Sequence, residues 1–330
     1  MTKEQLHGLI GEGKGNLANV VQICVMQGSD VLYSDSFRGF GTEDAANVNS
    51  VTKGVLGLLT GIALDRGDIK NTQQKVTEFF PEYEVKRGEK TIYDVTLRHL
   101  LTMTAPYKFR SEPWKKVCTS PDWTKAALDL LGGKKGITGD FKYSTLGIQI
   151  MVGVIEAATG MRCLELANKY LFAPLGIPEH KPHTDSSKED QFNFLMNKDP
   201  RINEWYCEPA GSVTGGWGLT LSACDMAKIG QLVIGKGSYE GKQVLSEKTM
   251  TEVLGPYKKL GRMFGNMSYG YLWYKPHDDR EVYAAIGDGG NIIYADRESG
   301  ISVGMTGTFK PRIFDRVQFI EEIVLAAVKL

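Results

Sequence analysis

Apolar residues follow two rhythms along the chain. Val20 to Met26 and Val31 to Ser34 are short β-prone runs parted by Gln27-Gly28-Ser29-Asp30, which predicts a hairpin. A matching set closes the chain: Tyr269 to Tyr274, Glu281 to Ile286, Asn291 to Ala295 and Ile301 to Thr306. These runs are broken by Lys275 to Asp279, by the glycines at 287, 289 and 290, and by Asp296 to Gly300. Between the β-rich ends the spacing turns helical, over Ser50 to Asp65, Leu97 to Met103, Trp123 to Leu131, Ser144 to Ala158, Arg162 to Leu171 and Ser222 to Ile234. A last amphipathic helix, Arg312 to Val328, is expected to pack on the sheet.

Consecutive strands usually pair, and chain termini usually lie close together. The pattern therefore predicts an α/β (α+β) fold in which both chain ends build one antiparallel sheet flanked by helices. Residues 1–70 and 260–330 form the sheet domain, residues 71–259 form a mostly helical inserted domain, and the active site is expected at the seam.

Composition narrows the function classes. The 330 residues carry 39 basic and 39 acidic side chains and are 42% hydrophobic, enough for a packed core and too balanced for a nucleic-acid surface. Five scattered cysteines with no C-x-x-C pair read as reduced thiols. No H-E-x-x-H suggests a metal, and no G-x-G-x-x-G or Walker-type loop suggests a nucleotide cofactor. Residues 1–19 lack a signal-peptide core, and the most apolar later stretch, Gly54 to Leu64, is too short to span a bilayer. A soluble cytoplasmic protein without cofactor or metal is expected, contacting neither nucleic acid nor membrane.

One residue breaks the pattern. From Ser50 to Leu64 the chain is apolar or small on every face, which describes a helix buried all round, and its single charged residue is Lys53. A lysine there must be paired or lose its proton. Ser50 lies three residues earlier on the same face, so a nucleophilic serine with a lysine base is one reading. A serine N-cap with a snorkelling lysine is the other. Two further segments carry candidate chemistry. Tyr143 precedes the helix that begins at Ser144, where a phenol can exchange a proton or simply pack. Ala285-Ile286-Gly287-Asp288-Gly289-Gly290-Asn291 lies between two predicted strands, as a tight turn or as a backbone aimed at an oxyanion. No G-x-S-x-G is present.

Taken in order, these segments resemble the serine β-lactamase and penicillin-binding-protein superfamily, in its class C-like branch. The resemblance also covers Thr96 to Thr104, Gly215-Gly216-Trp217-Gly218-Leu219 and Ile301 to Gly307, and Ala284 to Tyr294 looks most like nylon-oligomer hydrolases. It implies Ser50 as acylating nucleophile, Lys53 as its activator and Tyr143 as proton shuttle. It further implies an oxyanion hole from the N–H groups of Ser50 and Asp288, or Asn291 in a shifted register, with Thr145, Trp217, Gly287 and Gly289 beside the substrate.

Two departures shape the substrate expectation. No lysine or histidine precedes Gly287, where the family places a cation for substrate carboxylates, and Thr145 replaces the asparagine of the Y-x-N motif. An aspartate at 288 would repel a carboxylate. The expected activity is that of an esterase or amidase on small uncharged or cationic acyl substrates. A β-lactamase or D-Ala-D-Ala carboxypeptidase drawing its cation from Lys108, Arg110 or Arg262 is the alternative, and a non-catalytic binding module on the same fold is a third.

Overall fold

The computed structural model describes residues 1–328. Eight strands form one antiparallel sheet: β1 (Val20–Gln27), β2 (Asp30–Ser36), β3 (Lys258–Lys259), β4 (Ser268–Tyr269), β5 (Tyr274–Lys275), β6 (Val282–Gly287), β7 (Asn291–Asp296) and β8 (Ile301–Gly307). Their order is β2-β1-β8-β7-β6-β5-β4-β3. The two ends of the chain meet where β1 pairs with β8, with Cys24 opposite Gly304 and Val25 opposite Val303. β7 and β8 are buried at every position: the helix Ala223–Ile234 packs on both, and Tyr294 of β7 bonds Glu321 of the C-terminal helical segment at 3.1 Å.

Four longer helices organise the rest: α1 (Lys3–Glu12), α2 (Val51–Asp65), α3 (Thr145–Thr159) and α4 (Ala223–Ile234). α2 is buried at every residue from Val51 to Ala63, as the all-round apolar pattern requires. Its glycines explain how it sits so deep. A Cβ at Gly54 would lie 2.7 Å from Ala285 Cβ on β6, and one at Gly57 would lie 2.6 Å from the Tyr271 carbonyl oxygen. The missing side chains let the helix backbone press against the sheet and against the turn joining β4 to β5. Trp273 in that turn donates its indole N–H to the Gly54 carbonyl at 2.9 Å. The core is continuous, running from Leu6 to Ala327 through the sheet and the segments inserted between β2 and β3.

Several elements differ from the sequence expectation. The run Tyr269 to Tyr274 is two strands rather than one, since Leu272 takes a left-handed backbone (φ 67) and Gly270 N–H donates to the Trp273 carbonyl. The C-terminal helix begins at Val317, not Arg312. Arg316 there is buried, bonding the Gly290 carbonyl at 3.1 Å, the Asn16 carbonyl at 2.7 Å and Asn19 Oδ1 at 2.7 Å, and this inward anchor excludes an earlier helical turn. Helical structure from Cys163 passes into π-type turns over Asn168–Phe172, and the helices at Leu97–Leu101 and Trp123–Leu128 stop short of Met103 and Leu131. α1 lies in the N-terminal stretch for which no element was expected; a Thr2/Gln5 capping box starts it, and Leu6 and Ile10 bury it. α4, within the segment expected in the helical insertion, packs across β1, β7 and β8. The five cysteines are free thiols, as expected. No helix among the described residues is long and apolar enough to cross a membrane.

Candidate active site

Ser50 stands where an irregular strand turns into α2. Asn49 before it takes a left-handed backbone (φ 49), a conformation that asparagine tolerates better than most residues. That kink is fixed from both sides. Asn47 Oδ1 accepts from Asn49 N–H at 3.0 Å and from Gly218 N–H at 3.2 Å, while Asn49 Nδ2 donates to the Asp288 carbonyl at 2.9 Å. Ser50 occupies the N-cap position of its helix, as one reading expected, but makes no side-chain capping bond there. Its hydroxyl instead lies 2.9 Å from Lys53 Nζ.

Lys53 does not snorkel. The residue is 1% exposed, and Nζ donates to the Gly216 carbonyl at 2.6 Å as well as to Ser50. It also stands 4.9 Å from the centre of the Tyr143 ring. Burial pulls its pKa down to about 7, against a smaller upward pull from the Glu112 and Asp288 carboxylates. An amine held there is neutral in a large fraction of molecules at physiological pH, and can accept a proton from Ser50.

Tyr143 precedes α3, whose N-cap Ser144 accepts from Gly147 N–H at 3.0 Å. Burial drives the phenol's pKa well up while neighbouring Ser50 opposes the rise, so the hydroxyl keeps its proton at neutral pH. The ring rests against Phe264 at 6.3 Å. Thr145, the first residue of α3, sets its methyl against Gly216, where any side chain would also press on Lys53 Nζ. Ser50, Lys53, Tyr143, Thr145 and Gly216 therefore come together from three distant parts of the chain.

At the end of β6, Gly287 runs alongside the start of α2: a Cβ there would lie 2.9 Å from Ser50 N. The Asp288 carbonyl is held by Asn49 Nδ2 and by Asn291 Nδ2 at 2.7 Å. Among the described residues, neither Ser50 nor Asp288 donates its backbone N–H to another backbone carbonyl. Asn291 pairs with Gly287 across the hairpin, and its Oδ1 accepts from Gly307 N–H at 3.0 Å, so it braces the turn from behind. Gly289 also faces the back, with its carbonyl taken by Asn19 Nδ2 at 2.7 Å. Trp217 lies against the Tyr206 ring at 4.7 Å, one residue beyond the carbonyl that anchors Lys53.

Sequence reasoning missed Asn49, Gly216 and Glu112. Glu112 lies in an irregular stretch and accepts from Ser144 Oγ at 2.6 Å and from Leu146 N–H at 3.2 Å, which puts a carboxylate at the start of α3 near Lys53. No periodicity marks such a residue; the Asn-Val-Asn run before Ser50 and the Gly-Gly-Trp-Gly run were the available signals for the other two. A cleft of about 730 Å³ lined by Phe80, Tyr83, Thr124, Glu156, Arg162 and Glu208 contains none of these residues.

The family model described as Beta-lactamase matches residues 15–327. A 6-aminohexanoate-dimer hydrolase of Paenarthrobacter ureafaciens is 25% identical over 291 residues, covering 82% of this chain and 68% of the relative. The octameric penicillin-binding protein homologue from Pyrococcus abyssi superposes with a TM-score of 0.70 at 20% identity, over 93% of this chain and 74% of that one. A family VIII carboxylesterase does so with a TM-score of 0.66 at 17% identity, over 94% and 92%. A match that takes in the sheet, α2, α3 and the β6–β7 turn together settles the family: the chain belongs to the Beta-lactamase family and is a serine hydrolase.

Proposed function

We propose that the protein hydrolyses small esters or amides through an acyl-enzyme on Ser50. The observation that carries this reading is the buried Lys53 amine, 2.9 Å from Ser50 Oγ and with its pKa lowered to about 7. With Lys53 neutral, Ser50 O–H donates to Nζ. As Oγ bonds to the substrate carbonyl carbon, its proton passes to Lys53 and the carbonyl oxygen becomes an anion held by the N–H groups of Ser50 and Asp288. Collapse of that intermediate breaks the bond to the leaving group, which takes a proton from Tyr143, and Tyr143 is reprotonated from Lys53. A water then attacks the acyl carbon, gives its proton to the same base, and frees the carboxylic acid and Ser50. Asp288 is preferred to Asn291 as second donor because Gly287, its neighbour, abuts Ser50 N while Asn291 is engaged behind the turn.

Charge around the site supports neutral or cationic acyl substrates. Ala285 and Ile286 supply no cation beside Gly287, and the carboxylates of Glu112 and Asp288 both act on Lys53. The carboxylate-binding alternative draws no help from Lys108, which pairs with Glu89 at 3.3 Å. The match to a protein named 6-aminohexanoate-dimer hydrolase lends weight to an amide substrate. The test is direct. p-Nitrophenyl butyrate and short-chain anilides should be turned over and nitrocefin should not, a fluorophosphonate should form an adduct on Ser50, and Ser50→Ala should abolish both. A Ser50→Ala protein as active as the parent would refute the assignment.

A further inference from the structure

We propose a divalent metal site away from Ser50, formed by His183 Nε2, Asp185 and Asp190. His183 ends a short strand, Lys181–His183, that pairs in parallel with Glu204–Tyr206. The residue is 9% exposed, its ring stacked on Phe194 at 4.6 Å. Glu204 Oε2 lies 3.0 Å from Nδ1; in the neutral tautomer that donates to it, the Nε2 lone pair is free. Nε2 and Asp185 Oδ1 are both buried without a hydrogen-bond partner, and they face each other at 3.6 Å.

In that tautomer two lone-pair atoms are buried face to face, an arrangement that positive charge between them relieves. A shared proton fits poorly, since an N–H···O bond spans about 2.7–3.2 Å. A first-row divalent ion fits better: ligands about 2.0–2.2 Å from the ion lie roughly 3–4.4 Å from one another. Asp190 completes the set, with the three candidate ligand atoms within 4.8 Å of one another, so a small carboxylate shift closes the site. Charge points the same way. The ion pairs of this cluster bring three carboxylates, Asp185, Asp190 and Glu204, against one guanidinium, Arg201, a surplus that a divalent cation neutralises. The Glu204–His183 bond is the outer-shell contact that metal-bound histidines usually make. One imidazole with carboxylates suits Zn²⁺ before Mg²⁺ or Ca²⁺. Competing contacts exist: Ser186 and Arg201 already bond Asp190, and Gln191 and Tyr206 bond the other Asp185 oxygen.

The role of such an ion is structural. Tyr206 bonds Asp185 and packs on Trp217, whose neighbour Gly216 anchors Lys53, so the ion would clamp the strand pair that backs this wall of the site. Tag-free full-length protein, stripped with chelator and mixed with ZnCl₂, should retain one equivalent after gel filtration, measured by mass spectrometry of the metal. Co²⁺ in its place should give visible absorption of a bound, not aqueous, ion. His183→Ala and Asp185→Asn should lose the equivalent, and Glu204→Gln should weaken binding roughly 10–100-fold. Asp185→Asn is isosteric and partly exposed, so it keeps the test open if His183→Ala fails to fold. A parent that retains no Zn²⁺ or Co²⁺, or variants that retain as much as the parent, would overturn the site and leave an ordinary His183–Asp185 ion pair.

Discussion

Replacing Lys53 by Met tests the central electrostatic claim through stability, independently of any substrate. The side chains are similar in length, and Met is a flexible apolar filler. In the folded protein the amine has a pKa near 7, against 10.5 in an unfolded chain. The unfolded state therefore binds more protons between those values, and the parent's stability rises with pH across that window. Below pH ~6 the buried ammonium costs about 5 kcal/mol relative to a neutral amine, and by pH 9 the cost has fallen to about 2 kcal/mol. Met removes this cost at every pH but strands the buried Gly216 carbonyl, a loss of about 1–3 kcal/mol that does not depend on pH. Lys53→Met should thus be more stable than the parent by roughly 2–4 kcal/mol at pH 6 and nearly equal to it at pH 9. Urea unfolding of both proteins at pH 6, 7, 8 and 9 reads the difference, and the change of about 3 kcal/mol between the extremes is free of the hydrogen-bond term. A stability difference that stays flat with pH would mean that Lys53 titrates normally, and the neutral-base argument would fall with it.

Other perturbations follow from the same geometry. Tyr143→Phe should leave the urea midpoint in place and lower kcat by about 10²–10⁴ with little change in KM, because only proton transfer is lost; a kcat within a factor of two of the parent would remove Tyr143 from the proton path. Glu112→Gln keeps an acceptor for Ser144 and Leu146 but removes a charge that raises the Lys53 pKa, so the acid limb of the kcat/KM profile should move below about pH 7. An upward or absent shift would show that Glu112 does not act on Lys53. Gly57→Ala, with its new carbon 2.6 Å from the Tyr271 carbonyl, should cost about 1–3 kcal/mol by overpacking, read as a lower urea midpoint at unchanged slope.

The parts of this site that were legible in the sequence are those where a local rule is broken. Lys53 is visible because a charge sits in a helix apolar on every face, and Ser50 because helical spacing puts it on the same side. The strands were legible from period and turn residues, since each buried strand had to be apolar whatever it paired with. The single strand expected over Tyr269 to Tyr274 was not: its break exists to set Trp273 against the Gly54 carbonyl, a contact across 219 residues. α1 escaped for the opposite reason, having only two buried apolar residues and a capping box to betray it.

What the sequence by itself determined is therefore the solvation problem: which segments must be buried, in which secondary structure, and that one of them carries a lysine that burial would discharge. Tertiary structure decided how that problem is solved. Packing brought the Gly216 carbonyl and Tyr143 to Lys53, placed Glu112 and Asp288 where they temper its pKa, and laid Gly287 along Ser50 while turning Asn291 and Gly289 away. Period and propensity act over a few residues and can be read along the chain. Coulomb interactions and close approach act across space, and where they converge depends on how glycines such as Gly54, Gly57 and Gly287 let distant backbones meet.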